Sequence, residues 1–504
     1  MLFNTPEFIF LFLPFAVLLH FTLSRWSVNA AIAGTTASSL LFYAWWNPPF
    51  VLLPILSILG NYSLARRMVA ATPEVSRRLL IFGIACNVLV LCYYKYADFL
   101  LSIFDGRALG TPNVPLALSF TTFVQIAFLV YVHRQRPTLD LGQYGLFVAF
   151  FPHLIAGPIV RWGSLGRQLA DRSRYRVDWD NGALGVTIFT LGLAKKVLIA
   201  DSLAPHAAIV FNAAARGEAI TAIAAWGGAT AFSLQIFFDF SGYSEMAVGL
   251  GLLFNYRLPI NFAAPLRSAD LFDLWRRWHI TLMRFLRDFI YVPLAQRNPG
   301  PFGRSAVLLF TFVLSGLWHG ANWTFVVWGA LHGAGLVVVM AWQSWRGPGR
   351  AGPLALAIGW FLTFTFFVAT IVFFRAPDLA TAVHLISAMA GFGGAPIGDI
   401  SPATEEWIVR VGFLSDGFVR DWFGRTWTVA ATLWTLTALG VVLIVPDTME
   451  IVGYREGDAQ SNWRRRLGRW EWQPSPTRLA ATVVVFAVTF AYIGRVSEFL
   501  YYQF

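Results

Sequence analysis

The chain has 504 residues, 57% of them hydrophobic and only 13% charged, where soluble domains carry about 25% charged residues. This excludes a soluble enzyme, because lipid must be the solvent for much of the surface. The formal net charge of +11 would suit a nucleic-acid binder. The Lys and Arg residues, however, sit in loops beside apolar runs, as the positive-inside rule requires, so the expected surroundings are a lipid bilayer and no nucleic acid.

Inside hydrocarbon every backbone N–H and C=O needs an internal partner, and the long apolar runs lack the alternation of a transmembrane barrel, which leaves helices. The predicted fold class is all-α: a polytopic integral membrane protein of about 11–13 transmembrane or re-entrant helices. In chain order the apolar spans fall near 7–24, 29–46, 50–65, 79–96, 114–132, 145–160, 182–203, 221–254, 305–345, 354–375, 427–446 and 479–495. The start MLFNTPEFIFLFLPF lacks a basic region and a small-residue cleavage site, so the first run is expected to remain as a helix.

Basic clusters at Arg66–Arg78, Arg134 and Arg136, Arg161–Arg176, Arg257–Arg304 and Arg455–Arg469 are assigned to the cytoplasm. Counting crossings from these clusters puts both termini outside, on the exoplasmic side. Simple alternation fails at 145–160, which has basic loops on both sides, and around Trp318–Trp323, which is rich in Gly, Trp and polar residues. Broken or re-entrant helices reconcile both places, and such backbone is tolerated at membrane depth only where protein or a wet cavity surrounds it. The stretch from Arg267 to Pro293 mixes Trp, Phe and Leu with arginines and aspartates and reads as amphipathic interfacial helices. The polar segments near 376–425 and 447–476 are too short for independent cores, so a single domain over 1–504 without internal repeat is expected.

Cys86 and Cys92 lie six apart on different faces of one apolar run, so neither a disulfide nor a metal site is suggested. No pair of histidines has metal-binding spacing, and no Gly-rich phosphate loop precedes a Lys-Ser or Lys-Thr. Of the eight histidines, His279 in RRWHITL and His319 in SGLWHGANW occupy the unusual neighbourhoods. An imidazole at membrane depth is a functional candidate, and its ordinary pKa of about 6.5 suits a general base that takes a proton from a hydroxyl. The alternative is that each only bonds a backbone carbonyl freed by a helix break. His20, His133, His153, His206, His332 and His384 are read as span-end or loop residues. The segment SLQIFFDFSGYSEMAVGLG places Gln235, Asp239, Ser241, Tyr243, Ser244 and Glu245 in an apolar span. Two carboxylates there keep an ion path open as a rival reading.

Four stretches resemble the membrane-bound O-acyltransferase family, specifically its bacterial branch of alginate O-acetyltransferases and teichoic-acid D-alanyl transfer proteins. They are FFPHLIAGPIVRW at 150–162, QIFFDFSGYSEMAVGLGLL at 235–253, FDLWRRWHITLMRFLRDFIYVPL at 272–294 and LSGLWHGANWTFVVWGALHG at 314–333. Glu245 stands where the family commonly has Asp. The resemblance implies one domain with core motifs at 145–345 and C-terminal helices and an exoplasmic tail at 354–504. It also implies a helical bundle around a central tunnel, with His319 as the central catalytic histidine and His279 as a second near the cytoplasmic mouth.

Acetyl-CoA is then the expected donor substrate, with no tightly bound cofactor, and Arg276 and Arg277 are expected to attract its phosphates. Trp318, Asn322, Gln235, Asp239, Ser241 and Tyr243 are the expected substrate and tunnel-lining residues. Oxyanion stabilisation is expected from Asn322, Trp318 or a backbone N–H between Gly316 and Gly320. The expected partners are a periplasmic acetyltransferase or hydrolase-like protein and a cell-surface polysaccharide acceptor such as alginate. The C-terminal EFLYYQF also resembles the terminal motif of the small partner peptide of the D-alanylation system, which makes Tyr501 a candidate acyl carrier; otherwise Tyr501 and Tyr502 are interfacial belt residues. The rivals are a transporter or flippase working past Asp239 and Glu245, and a non-catalytic scaffold for an exoplasmic acetyltransferase.

Overall fold

The computed structural model describes residues 2–104, 114–298, 300–347, 352–393, 427–454 and 473–495. Among these residues there is helix and no strand, as the apolar runs without alternation predict. Among the described residues seven helices are long and apolar enough to cross a membrane: Pro48–Ala70, Pro73–Ile103, Trp179–Ala215, Pro301–His319, Trp323–Arg346, Pro353–Arg375 and Val429–Ile451. Phe8–Ser24, Leu379–Met389 and Pro476–Ala491 are apolar but shorter. The protein is therefore an all-α, multi-pass membrane protein.

Local chemistry fixes the boundaries. Proline opens the helices at Pro301, Pro353 and Pro476, where a missing N–H costs nothing. Side-chain oxygens cap others: Asp140 accepts from the N–H of Gln143 at 2.7 Å, Asp270 from Asp273 at 2.8 Å and Asp378 from Thr381 at 2.7 Å. The backbone N–H of Thr381 is the largest cause holding the Asp378 carboxyl below the usual carboxylate range.

Both places where alternation failed are broken. The helix Leu141–Ala149 stops at Phe150, a four-residue helical turn Phe151–Leu154 follows, and regular structure resumes only at Trp162. The long run at 305–345 is two helices, Pro301–His319 and Trp323–Arg346, which meet at Gly320–Asn322. The amphipathic stretch is a chain of short pieces, Leu271–Arg277, Ile280–Leu286, a π-helical turn Arg287–Tyr291, and Val292–Arg297. None of these reaches the roughly 20 residues a crossing needs.

The chain forms two compact units. The first comprises Met1–Ala194, Ser241–Asn261 and Thr448–Gly494. Its core is aromatic: Phe8 and Phe12 stack at 5.7 Å, Phe42 and Phe151 pack at 5.4 Å, and Phe128 stacks on Tyr144 at 4.2 Å. Asn255, in the left-handed region with φ 60°, donates through Nδ2 to the carbonyls of Arg174 and Arg176 at 2.9 and 2.5 Å. His20 and His153, expected at span ends or in loops, are instead buried here, and His20 Nδ1 lies 2.8 Å from Thr35 Oγ1.

The second unit comprises Lys195–Phe240, Phe262–Asp447 and Arg495–Phe504, the last stretch lying almost wholly outside the described residues. Here Pro301–His319 and Trp323–Arg346 form a helical hairpin with backbones in contact. A Cβ on Gly316 would sit 2.1 Å from the Phe325 carbonyl oxygen, and one on Gly329 would sit 2.3 Å from that of Phe312. Only glycine permits this approach. The indole of Trp360 ties the next helix in by donating to the Leu266 carbonyl at 2.9 Å.

Candidate active site

The site lies within the second unit and is built on two helix breaks. The helix Pro301–His319 ends at His319 because Gly320 turns extended, with φ −158° and ψ 144°. A Cβ on Gly320 would meet the Phe325 ring at 2.1 Å, so space, not torsion, demands glycine there. Asn322 then starts the next helix: its Oδ1 accepts from the N–H of Thr324 at 3.1 Å while its Nδ2 donates to the Pro377 carbonyl at 2.9 Å. Asn322 thus caps this helix and holds the Pro377 carbonyl, and its Nδ2 retains a second N–H. Asn322→Ala is expected to lower stability by about 1–2 kcal/mol through loss of the cap and exposure of the Pro377 carbonyl. Thermal melting of the purified protein in detergent checks this; an unchanged midpoint contradicts it.

The second break carries His279. Trp278 is extended after the helix Leu271–Arg277, and His279 adopts φ 43° and ψ 52° before Ile280–Leu286. A left-handed non-glycine backbone is strained, and such strain concentrates at functional positions. His279 is 1% exposed. It lies outside the seven crossing helices, and burial lowers its pKa and favours the neutral imidazole.

The two histidines share an aromatic enclosure. The Trp318 ring lies 4.8 Å from His319 and 6.3 Å from His279. Phe374 and Trp328 stand against His319 at 5.1 and 5.3 Å, and Phe240 against His279 at 4.7 Å. This surrounding keeps water away from a reacting centre and strengthens electrostatic interactions inside it. Behind Trp328 lies a third buried histidine, His332, 4.8 Å from that indole, with Nε2 3.0 Å from Thr370 Oγ1. The sequence reading placed His332 at a span end; the structure encloses it completely at the middle of Trp323–Arg346. Its signal was the i, i+4 spacing from Trp328, which puts both on one helix face. Ser315 Oγ, Trp328 Nε1 and Trp275 Nε1 are buried without a hydrogen-bond partner among the described residues, so polar groups are available to a substrate there.

Gln235 and Asp239 are buried in the same unit on the helix Ala222–Leu253. Asp239 Oδ1 pairs with Lys196 Nζ at 2.7 Å, and Lys196 also bonds Asp201 Oδ1 at 2.8 Å. Lys196 stands on a π-helical turn, Lys195–Ala200, whose neighbour Lys195 pairs with Asp447 at 2.9 Å. This network was not legible as a site, because two lysines in an apolar run read as an ordinary span. A charge at membrane depth needs a partner, and Asp201, five residues on, was the available signal. Asp239 is therefore an ion-paired carboxylate that shares its cation with Asp201.

Ser241 and Tyr243 belong to the first unit, where both are buried and the Tyr243 ring stacks on Phe3 at 4.7 Å. Glu245 is buried in that unit too. Arg276 and Arg277 are solvent-facing and share Asp273, at 3.3 and 2.9 Å, which leaves a net positive charge on this short helix. Tyr501 lies outside the described residues.

The site thus gathers buried imidazoles at two helix breaks in a multi-pass membrane protein. The model of the membrane-bound O-acyltransferase (MBOAT) family matches residues 72–375, and the chain belongs to that family and is an acyltransferase. It is 38% identical over 446 residues to a peptidoglycan O-acetyltransferase of Helicobacter pylori, covering 82% of this chain and 84% of that protein. It is 37% identical over 417 residues to a probable alginate O-acetylase AlgI of Azotobacter vinelandii, covering 80% and 81%. A teichoic acid D-alanyltransferase of Streptococcus thermophilus is 27% identical over 236 residues, covering 45% and 57%.

Proposed function

We propose that this acyltransferase takes an acetyl group from cytoplasmic acetyl-CoA and passes it across the inner membrane for O-acetylation of a cell-surface polysaccharide. The observation that carries this reading is the enclosure of His319 and His279 by Trp318, Phe374, Trp328 and Phe240 at two helix breaks. The peptidoglycan and alginate named for the two relatives support a polysaccharide as the final acceptor. His319 takes the proton of the attacking hydroxyl as its oxygen bonds the thioester carbonyl carbon; the C–S bond then breaks and the thiolate leaves as free CoA with that proton. The net positive helix of Arg276 and Arg277 supports entry of the CoA phosphates from the cytoplasmic face.

Tyr501 is the proposed acyl carrier toward a periplasmic partner, with both termini on the periplasmic side. A phenol is a poor nucleophile at neutral pH without a base, yet its ester is a reactive donor. Purified protein given acetyl-CoA should release thiol and gain one acetyl mass, and Tyr501→Phe, which lacks the accepting phenol, should do neither. Absence of thiol release from the wild-type protein sinks the donor assignment and favours a transporter or scaffold. An acetyl mass retained by Tyr501→Phe sinks the relay alone.

A further inference from the structure

Within the first unit the helices Leu52–Ala70, Pro73–Phe104 and Leu118–Gln135 enclose a cavity of about 420 Å³. This falls in the range of sites for small organic molecules, about 300–1,000 Å³. A buried cluster of amides and a hydroxyl holds these helices at fixed spacing. Asn87 Nδ2 donates to Asn61 Oδ1 at 2.8 Å, Ser57 Oγ donates to Gln125 Oε1 at 3.0 Å, and Asn61 Nδ2 also donates to Gln125 Oε1. Within a span such bonds act as interhelical glue, so the cavity is preformed and does not depend on an occupant for its shape.

The remaining wall is mainly apolar, with Ser63, Thr121 and Thr122 among its lining residues. Leu64, Phe82, Val90 and Leu116 line it, and the two outer helices are among those with the least area covered by the rest of the protein, so the cavity borders on lipid. Gly60 forms part of the lining, and a Cβ there would meet nothing within 4 Å. At one end stands Arg67, exposed, in the last turn of its helix. Among the described residues Arg67 makes no ion pair, and the stretch 66–78 carries four arginines, Arg66, Arg67, Arg77 and Arg78, against one acidic residue, Glu74. An apolar slot in lipid with an uncompensated guanidinium at its rim matches an amphiphile with an anionic head.

We propose that this cavity binds one anionic glycerophospholipid, its phosphate against Arg67 and an acyl chain along Leu64, Phe82 and Val90. Cys86 lines the cavity as an exposed free thiol and serves as a reporter in a Cys92→Ala background. The test places purified protein in phosphatidylcholine nanodiscs with increasing phosphatidylglycerol, reading retained lipid by native mass spectrometry and the alkylation rate of Cys86. The expected result is one retained phosphatidylglycerol per chain and alkylation slowed about fivefold. Arg67→Gln, on the exposed rim, and Gly60→Leu, which fills open space, should each reduce retention by about the same factor. Equal retention of both lipids with unchanged alkylation overturns the proposal. So does phosphatidylglycerol binding that neither substitution alters, or a protein subunit crosslinked through Cys86 in place of lipid.

Discussion

Replacing His319 with Ala is expected to lower acyl transfer by about a hundred- to ten-thousand-fold, the range typical of losing a positioned general base. The fold should survive, because the turn at this point is held by backbone bonds, Gly320 N–H to the Gly316 carbonyl and the Asn322 cap, which do not involve the imidazole. The measurements are thiol release by the purified protein and polysaccharide O-acetylation in cells, each beside the amount of protein in the membrane fraction. Normal acetylation by a normally inserted variant refutes the assignment. At His279 the informative change is to Asn, which tolerates φ 43° and so preserves the backbone while removing the imidazole. A large loss of transfer with an unchanged melting temperature then separates chemistry at His279 from backbone geometry.

Lys196→Met is the substitution with the largest expected effect on stability. It removes the cation between Asp201 and Asp239, whose side chains are 5% and 1% exposed. Leaving a buried charge without its partner costs about 3–5 kcal/mol, a large share of the roughly 5–15 kcal/mol that holds a domain folded. The expected observation is a lower melting temperature and loss of monodisperse protein. Adding Asp239→Asn and Asp201→Asn should restore much of it, since replacing all the charged partners is far less costly than removing one. A single variant as stable as wild type rules out a structural role for the network. Transfer should fall with stability, because Asp239 precedes Phe240, and the Phe240 ring packs on His279 at 4.7 Å.

The breaks were legible in the sequence because they are written in residue types. The Gly, Trp and polar residues of Trp318–Trp323 between two apolar runs announced the break, whereas the capping role of Asn322 was not anticipated. The failure of 145–160 as a crossing was legible from basic residues on both flanks. What was not legible came from packing across long sequence distances. The commitment of Asn322 to Pro377 joins residues 55 apart, and the pairing of Lys195 with Asp447 joins residues 252 apart. The left-handed backbone of His279 follows from how two short helices meet, and no residue type in RRWHITL announces it. His332 was misplaced because periodicity reports a face but not what covers it. The Lys196 network was hidden because its apolar neighbours outweigh two lysines in any average over the span.

The glycine seam of the histidine-bearing hairpin has a consequence for acyl-chain length. With Gly316 and Gly329 pressed against opposing carbonyls, His319 is fixed to a scaffold that cannot spread to make room. Space for a bulkier acyl group must come from the facing wall, where Phe374, on a separate helix, stands 5.1 Å from the imidazole. Chain-length preference can then drift through that one wall while the histidine proposed to perform the transfer stays where it is.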